Sequence, residues 1–182
     1  GRIDVGSLSR TQRIWLSDSN DALERLWMQH NAALFLPLCV TGSHVGPRTC
    51  HTSGRTLDIS FRAWVAAQRH MGFEMDPREL TEEEAAVLKE VTSWWKYNRD
   101  WMHKADILRL DSADKAVIAE QQLDAQYRVT LVNRAKASVL SRGSPALKDG
   151  PLEVSGRYLM HHGITLPWSF PQTMWVVEGE RL

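Results

Sequence analysis

The first hundred residues alternate between short apolar segments and longer segments with helical periodicity, and this alternation limits the possible folds more than any other feature. Residues 14–16 form a short apolar stretch, and residues 22–32 follow at helical spacing. Residues 33–40 (ALFLPLCV) are continuously apolar, which is typical of a strand buried on both faces. Strands and helices in alternation predict an α/β fold with a parallel sheet or barrel.

Two further helices are predicted in this part of the chain. Apolar residues recur at helical spacing from Leu57 to Met71, and Gly72 suits the carboxyl-terminal stop. The segment 41–56, rich in Gly, Ser, Thr and Pro, is predicted to be a loop. The clearest helix is 80–101, where Thr81 and Glu84 form a capping box. Its buried stripe is expected to comprise Val87, Leu88, Val91, Trp94 and Trp95.

The sequence changes character near Lys104. Residues 127–133 (YRVTLVN) alternate like a strand, and residues 173–180 (TMWVVEGE) resemble another. Between them, short apolar stretches are mixed with Gly and Pro. These features predict a small antiparallel β domain at 105–182, following an α/β domain at 1–104.

Composition excludes several classes of function. The 182 residues carry 22 basic and 22 acidic side chains, and this zero net charge argues against a nucleic-acid partner. The longest apolar run is too short to cross a bilayer, so no membrane role is expected. Two cysteines make no disulfide framework, which favours a reducing, cytoplasmic location. Neither Cys-x-x-Cys nor His-x-x-x-His occurs, so we expect no metal and no cofactor.

Residues 15–26 (WLSDSNDALERL) place several polar side chains directly before a predicted helix. Asp21, with Glu24 three residues later, is explained as a helix cap. The cap explains neither Asp18 nor Trp15. From these residues alone, Asp18 is either a turn residue or a carboxylate held at a working site. Eight tryptophans hint at sugar binding, although Trp is also an ordinary core residue.

Several separated motifs resemble the α-galactosidases of glycoside hydrolase family 36. They are GRIDVGSLSRTQRIWLSDSNDALERL, GSHVGPRTCHTSGRTLDISFRAW and GFEMD, and they occur in the family's order and spacing. YRVTLVNR, SGRYLMHHGI and TMWVVEGE resemble the family's tail more loosely. The resemblance implies a partial (β/α)8 barrel at 1–104, comprising its last strands and helices. It also implies a small antiparallel β-sandwich-like domain at 105–182, shortened between about residues 122 and 127.

The resemblance also implies a mechanism and site residues. Asp18 corresponds to the general acid/base of a retaining glycosidase, and Trp15, Gly1 and Arg2 correspond to substrate-binding positions. The Lys-Trp-Asp strand end that supplies the family's nucleophile is absent from these 182 residues. The implied substrate is a terminal α-galactoside of the melibiose and raffinose class. Assembly of the intact enzyme as a homo-oligomer stays open.

The other candidates and functions are weaker. His44, His51 and Arg55 match family loops and are interpreted as packing around the site, with a sugar contact as the alternative. Asp4 is interpreted as a salt-bridge or turn residue, and the His161–His162 pair as a turn or surface pair. Three other functions remain open: an inactive fragment, a sugar-binding module that uses Trp168 or Trp175, and an N-acetylgalactosaminidase.

Overall fold

The computed structural model describes the backbone of residues 5–110, 117–123, 127–134, 138–139, 169–170 and 173–180. Side chains are described for residues 6–109 and for Ile118, Glu120 and Gln122. The chain divides into two compact units, Gly1–Ala105 and Asp106–Leu182. Each unit is described separately below.

The first unit alternates strands and helices. Its helices are α1 (Val5–Leu8), α2 (Ala22–Ala32), α3 (Ile59–Ala67) and α4 (Glu82–Met102), and its strands are β1 (Ile14–Trp15), β2 (Thr41–Val45) and β3 (His70–Phe73). Two 3-10 helices, Leu38–Val40 and Pro77–Glu79, precede β2 and α4. The three strands form a parallel sheet in the order β1-β2-β3. The unit is therefore α/β with a parallel sheet, as predicted.

The two faces of this sheet differ. Trp15 is in register with Gly42, and side chains alternate along β2, so His44 lies on the same face as Trp15. Val45 lies on the opposite face, where it is fully buried against Ile59 and Ala66 of α3. Helix α3 therefore covers the Val45 face, and the Trp15 face carries aromatic and imidazole rings.

The helix starts follow the predicted capping chemistry. Asp21 and Asp58 are the N-caps of α2 and α3, and their side chains accept hydrogen bonds from backbone amides of the first turn. The capping box of Thr81 and Glu84 begins α4, as predicted. The predicted stripe on α4 is confirmed: Val91 is buried, and its four partners pack against the two apolar clusters around α3.

The predicted strand over residues 33–40 is wrong. After α2 the chain turns, with Leu36 N donating to Ala32 O, and then forms the 3-10 helix that precedes β2. Phe35 is 85% exposed, and Pro37 cannot donate a hydrogen bond to a sheet. The strand is instead Thr41–Val45, inside the predicted loop. Two residues of this strand, Gly42 and His44, lie beside the Trp15 ring, which explains why the strand is not continuously apolar.

The predicted helix end at Gly72 is also wrong. Helix α3 ends at Ala67, and Met71 and Gly72 belong to β3. Met71 continued the apolar spacing because it packs, from the strand, against the same core as the helix. The periodicity was real, but it came from two elements that share one core.

The second unit contains a four-stranded antiparallel sheet. Its order is β4 (Asp106–Leu110), β5 (Val117–Leu123), β6 (Tyr127–Arg134) and β9 (Thr173–Glu180), and β7 (Ser138–Val139) pairs separately with β8 (Ser169–Phe170). Both predicted strands, 127–133 and 173–180, are confirmed. The predicted shortening falls partly on residues 124–126, which lie outside the described residues.

Candidate active site

Asp18 lies in the turn between the carboxyl end of β1 and the start of α2. Its side chain is exposed, and in the described part of the chain no hydrogen bond or ion pair engages its carboxylate. The carboxyl ends of parallel strands are where barrel enzymes place their reactive groups. Asp18 is thus exposed at the carboxyl end of the sheet.

Trp15, the last residue of β1, is half-buried within a group of rings and charges. Its ring centroid is 4.0 Å from that of His44, with the rings tilted by 33°. On the same indole, the guanidinium carbon of Arg25 is 4.0 Å from the ring centroid. These contacts hold the predicted sugar-binding tryptophan rigidly at the edge of the sheet.

Arg25 is a part of the site that sequence analysis missed. The residue is fully buried, and its Nη2 donates to Ser17 O at 3.3 Å and to Ser19 O. Burial lowers the pKa of Arg25, while the charge of Glu74 opposes that shift. One signal was available in the sequence. Ala22, Arg25, Leu26 and Gln29 follow the spacing of a buried helix face, so a cation was already on the inner side of α2.

Asp21 caps α2 as predicted, and it has a second role. Its Oδ1 accepts hydrogen bonds from Leu23 N at 2.9 Å and Glu24 N at 3.3 Å. Its Oδ2 accepts one from Ser53 Oγ at 2.5 Å and pairs with Arg55 Nη1. The cap therefore also fastens the loop between β2 and α3 to the start of α2.

That loop, residues 46–57, touches the Asp18 turn at a second place. A Cβ added to Gly46 would lie 2.5 Å from Asn20 O, so only glycine fits against this turn. Nearby, Asn20 Nδ2 is 3.5 Å from His51 Nδ1. His51 is exposed, in keeping with its interpretation as a packing residue near the site.

Side chains from α3 and α4 hold the other side of the loop. Arg62 is buried and donates to Gly46 O at 2.7 Å and to Leu57 O at 3.0 Å. Glu84 accepts two hydrogen bonds from Arg48, at 3.2 Å from Nε and 2.5 Å from Nη2. These hydrogen bonds from Arg48 lower the pKa of Glu84. The loop is thus anchored to α2, α3 and α4.

A cleft of about 470 Å³ runs along the Trp15 face of the sheet. Its lining comprises Arg13, Ile14, Trp15, Gly42, His44, His70, Met71, Phe73 and Glu74. Glu74 follows β3 directly, and its Oε2 is 3.8 Å from His44 Nδ1. Burial lowers the pKa of His44, and the nearby Glu74 carboxylate opposes this. Glu74 is thus a second carboxylate, in addition to Asp18, near the carboxyl end of the sheet.

Several predicted residues lie outside the described part of the chain. They are Gly1, Arg2, Asp4, His161, His162 and Trp168, together with the side chain of Trp175. In the described part, no group of three or more His, Cys, Asp or Glu side chains is placed to hold a metal ion. None of the helices described there is long and apolar enough to cross a membrane.

A parallel α/β sheet with polar side chains at the carboxyl ends of its strands is the arrangement that barrel and open-sheet α/β enzymes share. Residues 1–105 match the family model described as Melibiase, and the chain belongs to this family, the α-galactosidases of glycoside hydrolase family 36. An α-galactosidase of Escherichia coli is 30% identical over an alignment that covers 100% of this chain and 31% of the relative.

Two solved structures of the α-galactosidase AgaA from Geobacillus stearothermophilus match the chain in three dimensions. A complex of an AgaA variant with 1-deoxygalactonojirimycin has a TM-score of 0.79 at 25% identity, covering 98% of this chain and 27% of that protein. A complex of an AgaA variant with raffinose has a TM-score of 0.78 at 25% identity, covering 100% of this chain and 27% of that protein. The chain therefore spans only about a quarter to a third of the length of these relatives.

Proposed function

We propose that this chain supplies part of the catalytic barrel and the tail domain of a retaining α-galactosidase, with Asp18 as the general acid/base. The observation that carries the proposal is the placement of Asp18. It is exposed in the turn that follows the parallel strand ending at Trp15, and this turn accepts hydrogen bonds from Arg25 and leads into the Asp21 cap.

The proposed reaction has two steps. In the first, Asp18 donates its proton to the leaving oxygen while the nucleophile's carboxylate oxygen bonds to C1 of the sugar and the C1–O bond breaks. In the second, Asp18 takes a proton from water as the water oxygen attacks C1 and releases the nucleophile. The two carboxyl groups of such a pair lie about 5–5.5 Å apart.

The nucleophile belongs to a part of the enzyme that this chain does not span. The family's Lys-Trp-Asp strand end does not occur in these 182 residues, whereas the relatives are three to four times longer. Trp15 would form one wall of the galactose site, and Gly1 and Arg2 would contribute further sugar contacts. The isolated chain is therefore proposed to be inactive.

The proposed architecture follows from the same comparison. A (β/α)8 barrel needs about 250 residues, so residues 1–104 would supply only its last strands and helices. The Trp15 face of the sheet would then lie inside the barrel, where side chains from the missing strands would fill much of the cleft. Residues 105–182 would form the antiparallel β-sandwich-like tail domain, of which a four-stranded sheet is described.

For the substrate we propose a terminal α-galactosyl residue on an oligosaccharide. The AgaA complex with raffinose supports this class. The choice between galactose and N-acetylgalactosamine depends mostly on residues that this chain does not contain. An N-acetylgalactosaminide is therefore the substrate to test beside galactosides.

The test uses the intact enzyme that contains this chain. It should hydrolyse 4-nitrophenyl α-galactoside far faster than the matching N-acetylgalactosaminide, and NMR should show α-galactose as the first-formed anomer. The 182-residue chain alone should show no turnover. First-formed β-galactose would reject the retaining mechanism, and a preference for the N-acetyl substrate would reject the assigned sugar.

A further inference from the structure

We infer that Arg25 is the positioning residue that holds Asp18 in place for both proton transfers. This inference rests on the proposed role of Asp18 as the general acid/base. Arg25 touches neither the sugar nor the reacting atoms in this assignment. It acts through the backbone that carries Asp18.

The hydrogen bonds of Arg25 bracket the reactive residue. Nη2 donates to the carbonyl oxygens of Ser17 and Ser19, the residues immediately before and after Asp18. Because one rigid nitrogen holds both carbonyls, the turn cannot open without breaking a charge-assisted hydrogen bond. The side chain of Asp18 is left free to reach a substrate, since no described partner engages it.

The surroundings of the Arg25 guanidinium agree with this role. Its side chain is fully buried, yet in the described part of the chain no carboxylate lies within ion-pairing distance of it. Buried charges are normally paired, because removing them from water is costly. Its Nε and Nη1 also lack a hydrogen-bond partner among the described residues. The main contacts of the Arg25 guanidinium are therefore the carbonyls of Ser17 and Ser19 and the Trp15 ring.

Arg25 also positions Trp15, the residue proposed to form one wall of the galactose site. The guanidinium carbon lies 4.0 Å from the indole centroid, so a single side chain joins the Asp18 turn to Trp15. A planar guanidinium can stack on a ring and donate from its edge at once, whereas a lysine ammonium cannot. Arg25 thereby fixes the acid relative to the wall that would orient the galactose ring.

The experiment replaces Arg25 in the intact enzyme and compares two substrates. Arg25→Met fills similar volume without donors, so Asp18 should drift from its working position. We expect kcat/KM for raffinose to fall about 100-fold, the size of loss that a misplacement of about 1 Å produces. The loss for 4-nitrophenyl α-galactoside should be much smaller, because that leaving group hardly needs a proton.

Azide supplies a readout that a simple loss of folded enzyme would not give. Azide attacks C1 of the glycosyl-enzyme and breaks its ester bond without any proton transfer, so it bypasses the base. Azide should therefore raise the steady-state rate of Arg25→Met on the nitrophenyl substrate and yield α-galactosyl azide. Arg25→Lys keeps the charge and should fall between Arg25→Met and the unaltered enzyme.

Arg69 provides the matched control. It is also buried and donates to backbone carbonyls, at 2.9 Å to Gln68 O and 3.2 Å to Gln29 O, but neither of these carbonyls belongs to the Asp18 turn. Arg69→Met should lower stability without azide activation and with equal effects on both substrates. If Arg25→Met behaves like Arg69→Met, or if it leaves both rates unchanged, the inference is wrong.

Two further results separate the inference from the proposed function. If Arg25→Met fails to fold, Arg25→Lys decides: selective loss on raffinose with azide activation supports the inference, and equal loss on both substrates rejects it. Asp18→Ala tests the proposed function alone. If Asp18→Ala responds to azide and the Arg25 variants do not, only the positioning role falls. If Asp18→Ala does not respond, the assignment of the acid falls as well.

Discussion

The buried carboxylate of Asp21 pairs with the guanidinium of Arg55, a residue 34 positions later in the chain. The same carboxylate caps α2, so one side chain both starts a helix and fastens the 46–57 loop to it. The turn that carries Asp18 lies directly before this cap. The contacts of Asp21 that stabilise the fold therefore also fix the backbone that carries Asp18.

Asp21→Ala should destabilise the protein more than the loss of an ordinary cap. A lost cap costs about 0.5–2 kcal/mol, and breaking a largely buried ion pair adds more. We expect a total of about 2–4 kcal/mol in the free energy of unfolding, measured in urea. Asp58→Ala is the control, because Asp58 caps α3 from an exposed position and bonds only Ser60 N in the first turn. Equal costs for the two variants would contradict the second role of Asp21.

Gly46→Ala should be poorly tolerated, because the new Cβ would meet the backbone of the Asp18 turn. The Cβ would lie 2.5 Å from Asn20 O and 2.8 Å from Asn20 Cβ, and backbone cannot move aside cheaply. Such overpacking costs about 1–3 kcal/mol, and the displaced turn should also lower activity. At Gly42 the nearest atom to a new Cβ is 3.6 Å away, so Gly42→Ala should change thermal stability little. A reversed order of the two variants would show that the close approach at Asn20 is not limiting.

The sequence predicted those features that depend on neighbouring residues. The caps at Asp21 and Thr81 need partners only two or three residues away, so their chemistry was readable from the chain. The contacts of Asp21 with Ser53 and Arg55 span more than thirty residues, and no local pattern reveals them. The role proposed for Asp18 depends on family resemblance, because a turn residue and a proton donor look alike in an isolated sequence.

The errors have a common physical origin. Continuous hydrophobicity normally indicates burial, so the apolar run 33–40 predicts a strand, but Phe35 is exposed in the turn after α2. The actual strand, Thr41–Val45, is short and rich in small polar residues. Its hydrophobicity is low because Gly42 and His44 lie on the Trp15 face and only Val45 belongs to the apolar core. Hydrophobicity marks apolar side chains in the core, whereas this strand is buried mainly through small and polar residues.

A pair of histidines, His103 at the end of α4 and His70 at the start of β3, should make stability pH-dependent. The rings of His70 and His103 are 3.6 Å apart, and His70 Nε2 lies 2.9 Å from Cys39 O. Burial lowers the pKa of His103 to about 4, with further lowering from the charges of His70 and Arg13, and only Asp100 opposes these effects. Burial also lowers the pKa of His70, opposed by the Cys39 carbonyl. In the folded state both imidazoles therefore resist protonation.

The direction of the pH effect follows from linkage. Unfolded histidines titrate near pH 6.5, so below that pH the unfolded chain binds more protons than the folded one. This pair should have no effect above about pH 7, and stability should fall as pH drops from about 6.5 toward 4. His103→Asn should reduce that fall in thermal melts, and the exposed His51→Asn should not. An unchanged pH dependence in His103→Asn would contradict the account.

The most direct test of the central claim is the pre-steady-state kinetics of Asp18→Ala in the intact enzyme, with 4-nitrophenyl α-galactoside as substrate. The nitrophenyl group leaves without protonation, so the glycosyl-enzyme should form and release a burst of nitrophenol equal to the enzyme concentration. Water should then hydrolyse the intermediate slowly, and azide should restore turnover and give α-galactosyl azide. A linear time course at a near-normal rate, with no response to azide, would show that Asp18 is a turn residue and not the acid/base.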